Sequence, residues 1–237
     1  MRFIHKMCAI FGSNKFSTYQ KLYNVCQERG DFAYGSLYTG ARKEGRYVVT
    51  TRAEKTVTLS NKDSFLFENK TVFINKLDFF LGHTQAPTSS KRIYDEKTSH
   101  PFKGKKWVVA HNGVLTNFND LKKIINNKKK YCEVDSSIIP ALLDHFSKKR
   151  EKEVSIISEV LSLLEGTFGV WIYSLLSGSI YLARSGSTLY ADFLTNSFSS
   201  LPYSKFTSLE EGVIYTVTSE GLTSVGGFDN NSPFFII

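Results

Sequence analysis

The order of periodic segments along this 237-residue chain predicts an α+β layered domain. Short runs of alternating apolar and polar residues, the mark of strands, occupy the beginning of the chain and its last third. Segments with helical spacing cluster between about 117 and 166, with one more near the N-terminus. The regular strand–helix alternation of a parallel α/β sheet is absent. No linker, internal repeat or low-complexity stretch divides the chain, so one domain is expected.

Cys8 to Phe11 reads as a short buried strand closed by Gly12, and residues 16–28 as an amphipathic helix ended by Gly30. "YGSLYTG" and "RYVVTTRA" read as two strands joined by a polar, Gly-bearing turn. "DFFLGHTQAPTSS" runs from a strand into a Pro/Ser loop near Pro87, and "KKWVVAHNGVLTNF" is an apolar strand leading into Asn112-Gly113. Asn117, with Asp120 three residues on, predicts a capped helix that frays in the Asn/Lys run at 126–130. A second helix is expected at about 136–148, with Pro140 near its first turn, where a missing N–H costs least. "VSIISEVLSLLEG" predicts a third that stops at Gly166. "FGVWIYSL", "GSIYLARSG", "STLYADF", "GVIYTVTS" and "GLTSVGG" then give five short strands.

Composition narrows the classes. Hydrophobic residues are 41% and charged residues 22%, a globular balance. No apolar run nears the ~18 residues of a membrane span, and the first dozen residues make a poor secretory signal. The three cysteines, Cys8, Cys26 and Cys132, form no C-x-x-C pair, so neither a disulfide framework nor a zinc cage is indicated and no metal or cofactor is expected. The reading is a cytoplasmic protein without membrane association. The net charge of +8 gathers at Lys103–Lys106, Lys122-Lys123, Lys128–Lys130 and Lys148–Arg150, where helices and loops end. Cations are favourable there, and no nucleic-acid motif accompanies them, so nucleic acid is not expected as a partner.

Taken singly, the chemical motifs have ordinary explanations. Cys8 suits a core position, since free cysteine is among the most buried types. Asn112-Gly113 suits a hairpin turn, "EVDSS" suits a helix start, and "GHTQAPTSS" suits a strand exit. Their joint order says more: Met7-Cys8-Ala9-Ile10-Phe11-Gly12, Arg29-Gly30 with Gly35, Gly82-His83-Thr84, His100-Pro101, Val109 to Gly113, Val134-Asp135-Ser136, Gly166 to Gly169, and Leu182-Ala183-Arg184. This series resembles the glutaminase domain of the class II glutamine amidotransferases, which are N-terminal-nucleophile enzymes. The resemblance extends from about residue 7 to at least 190.

The resemblance implies a four-layer αββα sandwich, two stacked antiparallel sheets flanked by helices. It implies a single amidotransferase domain at 8–237, preceded by a leader or upstream-start extension at 1–7. In this family the mature chain begins at the cysteine. Its thiol attacks the side-chain amide of glutamine while its own α-amine, with a pKa of about 7.7–8.0, serves as base. Cys8 therefore matches the nucleophile, and Asn112 and Gly113 match the oxyanion-hole pair. Asp135 matches the carboxylate that holds the substrate ammonium, and Thr88 a hydroxyl near the substrate carboxylate. Arg29, Ala183-Arg184, His83 and His111 match groups that support the site.

Two departures stand out. Gln85 occupies the place of an arginine that pairs with the α-carboxylate of glutamine, and a neutral amide does not replace that bidentate ionic contact. "RGDFAYG" has Phe32 where the family carries an acidic residue, with Asp31 one position early. The expected activity is hydrolysis of glutamine, or of a related γ-glutamyl amide, through a thioester, with the ammonia passed to a separate synthetase or acceptor protein in trans. The alternative is an impaired scaffold retained for binding or regulation.

Overall fold

The protein is described from a computed structural model, covering residues 7–30, 33–39, 79–86, 98–125, 134–149 and 152–229, with 48–52 as backbone. The predicted turn between the second and third strands, the loop at Pro87, the Asn/Lys run at 126–130, Asp31-Phe32, Cys132 and Thr88 lie outside the described residues.

Two sheets make the centre. The first contains, in spatial order, β11 (Thr207–Ser208), β9 (Tyr190–Asp192), β10 (Ser197–Ser199), β1 (Ala9–Ser13), β4 (Phe80–Gln85), β2 (Ala33–Tyr38) and β3 (Val48–Arg52). The second contains β13 (Gly221–Gly227), β12 (Val213–Thr218), β8 (Ile180–Ser185), β7 (Gly166–Ser174), β6 (Trp107–Leu115) and β5 (Phe102–Lys103). Neighbouring strands are antiparallel. The helices are α1 (Phe16–Gln27), α2 (Phe118–Ile124), α3 (Ile138–Phe146) and α4 (Glu153–Ser162).

Strand alternation sorts the side chains into three apolar layers. Ala9 and Phe11 of β1 and Phe80 of β4 meet Tyr19, Leu22, Tyr23 and Cys26 of α1. Ile10, Leu37 and Leu81 of the first sheet face Val108, Ala110, Trp171 and Leu182 of the second. Val109, Val170 and Ile172 turn the other way, onto Ile139 and Leu142 of α3 and Ile157 and Val160 of α4. Each buried Val, Leu, Ile or Phe among them contributes about 1.5–3 kcal/mol. The order is therefore helix, sheet, sheet, helix, as the resemblance implied. Trp171 adds a polar tie, its Nε1–H donating to the Gly82 carbonyl at 3.1 Å.

The elements predicted from sequence are present, with corrections at their ends. Gly12 does not close the first strand, which runs on to Ser13. A Cβ on Gly12 would come within 2.5 Å of the Phe198 ring and 2.9 Å of Phe79, so the glycine serves close packing inside β1. The third helix stops at Ser162, and Gly166 opens β7 instead of ending the helix. Asn117 precedes α2 but makes no side-chain cap. Its Nδ2 donates to Leu163 O and its Oδ1 accepts from Glu165 N–H, tying α2 to the end of α4. Within the basic stretch, Lys106 Nζ donates to the Ser147 carbonyl just past α3. No helix among the described residues is long and apolar enough to cross a membrane.

Candidate active site

Cys8 stands immediately before β1 and is half-buried. It is in phase with Ile10, so the alternation of β1 directs it to the inter-sheet side. β1 pairs with β4 through Ala9↔Thr84, and one further step of that register sets Cys8 beside Gln85. Gln85 is itself in phase with Leu81 and is buried, its Oε1 accepting no hydrogen bond among the described residues. The same end of the first sheet therefore carries the thiol and a neutral amide side by side.

Across the sandwich, β6 runs without interruption through Asn112 and Gly113 to Leu115, pairing with β7 throughout. This rules out the hairpin turn that Asn-Gly alone would suggest. Asn112 is fully buried and in phase with Val108 and Ala110, hence on the inter-sheet side. Its Nδ2 donates to Ser187 Oγ at 3.0 Å and to Ser200 Oγ at 3.3 Å. Ser200 Oγ also accepts the Ile10 N–H at 3.0 Å, and the Ser200 N–H donates to the Ile10 carbonyl at 2.8 Å. One serine thus links the strand of Cys8 to the side chain of Asn112.

Gly113 has φ +151°, and a Cβ there would lie 1.9 Å from the Thr167 carbonyl oxygen. Replacing it with alanine forces β6 away from β7 at the Gly113↔Phe168 pair. We expect Gly113→Ala to cost about 3 kcal/mol, which calorimetry reads as a fall of roughly 6–12 °C in Tm.

Asp135 opens a single 3₁₀ turn before α3. Its Oδ2 accepts the Leu115 N–H and its Oδ1 the Ser136 N–H, both at 2.8 Å, so the carboxylate is fastened to the end of β6. His111 lies beside it, Nε2 3.2 Å from the Thr167 carbonyl and Nδ1 2.8 Å from Ser136 Oγ. Neutral imidazole donates from Nε2 and takes at Nδ1 the one Ser136 hydroxyl proton, for which Asp135 Oδ1 at 3.2 Å competes. Burial lowers the His111 pKa from 6.5, opposed by the Asp135 charge and the bond to Thr167. The sign follows: below about pH 6.5 the unfolded chain takes up a proton that the folded chain refuses, so stability falls with pH. A thermal-denaturation series from pH 7.5 to 5 should show this fall, and His111→Gln should flatten it by up to one proton's slope, about 1.4 kcal/mol per pH unit.

His83 is fully buried and stacks on His100 at 3.9 Å between ring centroids. His100 stands 6.5 Å from the His111 ring. Among the described residues no group of three His, Cys, Asp or Glu side chains is placed to hold a metal ion.

Arg29, just beyond α1, donates from Nη1 to the Ser200 carbonyl at 3.3 Å and from Nη2 to Met7 Sδ at 3.2 Å. Burial pulls its pKa down, and the neighbouring sulfurs of Cys26 and Cys8 act the other way. The Met7 N–H donates to the Arg29 carbonyl at 3.1 Å. Arg184 fixes a second loop, bonding the Leu209 and Ser187 carbonyls and pairing with Glu211 at 2.8 Å. Cys26 is fully buried under α1 and its thiol is pushed up to about 12 by desolvation, so it stays protonated at neutral pH.

Of the residues the sequence singled out, Cys8, Asn112, Gly113, Gln85, Asp135, Arg29, His83 and His111 border this end of the sandwich, and Thr88 lies outside the described residues. The sequence passed over Ser187, Thr188, Ser200 and His100 as site-lining groups. "SGST" and "SFSS" contain no spacing that separates a bonded serine from a solvated one.

Two stacked antiparallel sheets between helices make a four-layer αββα sandwich. Comparisons with known proteins narrow this further. The chain is 32% identical over 167 residues to a glutamine–fructose-6-phosphate aminotransferase of Francisella tularensis, a match covering 66% of this chain and 26% of that protein. It is 27% identical over 192 residues to a 7-cyano-7-deazaguanine synthase of Saccharolobus solfataricus, covering 78% and 37%. The match thus spans only 26% and 37% of these relatives' own lengths. Among solved structures, the glutamine phosphoribosylpyrophosphate amidotransferase of B. subtilis superposes with a TM-score of 0.67 at 18% identity, covering 92% of this chain and 49% of that one. A glutamine aminotransferase class-II domain protein of Silicibacter pomeroyi gives 0.57 at 15% identity, covering 94% and 100%. The chain matches no family-wide sequence profile. Sequence and fold together make it a homologue of the class II glutamine amidotransferase domains.

Proposed function

We propose that the chain is a glutaminase that hydrolyses the side-chain amide of glutamine through a thioester on Cys8. The observation that carries this reading is the placement of Cys8 and Asn112 on the facing sides of the two sheets, joined through Ser200 and Ile10.

In the active form the chain begins at Cys8, and the freed α-amine takes the thiol proton. The sulfur attacks the side-chain carbonyl carbon, and Asn112 Nδ2 and the Gly113 N–H stabilise the oxygen that becomes negative. The amine then gives its proton to the departing nitrogen, which leaves as ammonia. Water, deprotonated by the same amine, adds to the thioester; glutamate departs and the thiol is restored. Asp135 holds the substrate ammonium, and the resemblance assigns the Thr88 hydroxyl to the substrate carboxylate. The ammonia is delivered to a separate acceptor protein, and the protein works in the cytoplasm.

Gln85 supports a second reading, an impaired scaffold, because a buried neutral amide stands next to the thiol where a cation would hold a carboxylate. One experiment separates the two. The chain beginning at Cys8 is incubated with glutamine, and with γ-glutamyl amides whose α-carboxyl is blocked, and glutamate and ammonia are measured. Release from either substrate supports the enzyme. No release from any of them, together with a thiol unreactive toward a glutamine-mimicking electrophile, defeats it.

A further inference from the structure

We infer that Ser187 and Ser200 are positioning residues that set which way the Asn112 amide faces, an inference that rests on the glutaminase reading above. The Asn112 side chain is fully buried, both of its recorded hydrogen bonds leave from Nδ2, and Oδ1 accepts none among the described residues. A buried amide oxygen without a donor is costly, and a hydroxyl can donate as well as accept. A half-turn about Cβ–Cγ exchanges oxygen and nitrogen. Ser187 and Ser200 then donate their hydroxyl protons to Oδ1, while Ser200 Oγ still accepts from Ile10 N–H. The two amide N–H groups are released toward the direction that Oδ1 now takes. The oxyanion role needs this second orientation, because a nitrogen committed to two serines has no hydrogen left for a substrate oxygen.

Both hydroxyls sit on backbone that is held firmly. The Ser187 carbonyl accepts from Arg184 Nη1 at 3.1 Å, and Arg184 is anchored by Glu211. The Ser200 carbonyl accepts from Thr188 Oγ1 at 2.8 Å and from Arg29 Nη1 at 3.3 Å. The pair therefore keeps the same position in either orientation of the amide. It provides a fixed cradle whose two hydroxyls satisfy Oδ1 when the amide N–H groups face the substrate.

Ser200→Ala also strips Ile10 N–H of its acceptor, so Ser187→Ala carries the test. In a chain beginning at Cys8, S187A should lower kcat for glutamine about tenfold with KM nearly unchanged, and S187T, which keeps the hydroxyl, should restore it. In an N112A background S187A should do nothing more, because the group it orients is gone. A wild-type kcat in S187A, or a loss that multiplies fully with that of N112A, overturns the inference. If the wild-type chain releases ammonia from neither glutamine nor a blocked γ-glutamyl amide, the function fails and the amide itself decides. The Asn112 side-chain ¹⁵N resonance, identified by its loss in N112A, should shift in both S187A and S200A. A resonance unmoved in both overturns the cradle whatever the activity.

Discussion

Replacing Cys8 with alanine in a chain that begins at residue 8 is expected to lower glutamine turnover by about 10⁴-fold or more, measured as glutamate release at saturating substrate. In the proposed mechanism loss of the thiol removes the covalent route outright, and no other described thiol can stand in. Cys26 is fully buried on the α1 side of the first sheet, its pKa raised to about 12. A chain that retains Met7 should be as inactive as the alanine variant although its thiol is intact. Its residue-8 nitrogen is an amide and accepts no proton, and Met7 is stitched to Arg29 through both its N–H and its sulfur. The comparison isolates the base from the nucleophile, because the two proteins differ in which one is missing. Turnover by the Met7-bearing chain within tenfold of the Cys8-initiated one would refute the α-amine as base.

Asn112→Ala is expected to lower kcat about 10²- to 10³-fold while leaving KM within a factor of a few. In the proposed mechanism the amide acts on charge that develops only after attack, and an interaction confined to the transition state changes kcat and kcat/KM together. The substitution leaves the backbone pairing of β6 with β7 in place, Asn112↔Gly169 and Gly113↔Phe168 included. Unfolding temperature should accordingly change little beside the loss of rate. A large rise in KM with unchanged kcat would move Asn112 from oxyanion stabilisation to substrate binding.

Much of this arrangement was legible in the chain because alternation is a local property. Alternation puts Cys8 in phase with Ile10, Gln85 with Leu81 and Asn112 with Val108 and Ala110, but both phases of β1 and of β6 are apolar, so packing decides which one faces the other sheet. The helices that cover the second sheet were readable from their apolar spacing, and their ends shifted by a few residues where tertiary partners intervened, as Asn117 did by bonding Leu163 and Glu165.

β10 had no such signature. Ser197–Ser199 is too short and too polar for a periodic signal, yet it is the strand that lies against β1. Its successor Ser200 bonds Ile10 across 190 residues of sequence. The sequence by itself determined the layered class and the order of strands and helices, because each follows from neighbours a few residues away. Only the tertiary structure decided which strands adjoin, which serines meet Asn112, and that Arg29 faces both Met7 and Ser200. Pairing between distant segments is chosen by the closure of the whole sandwich, and a stretch such as "SFSS" acquires its role only from what the fold brings beside it.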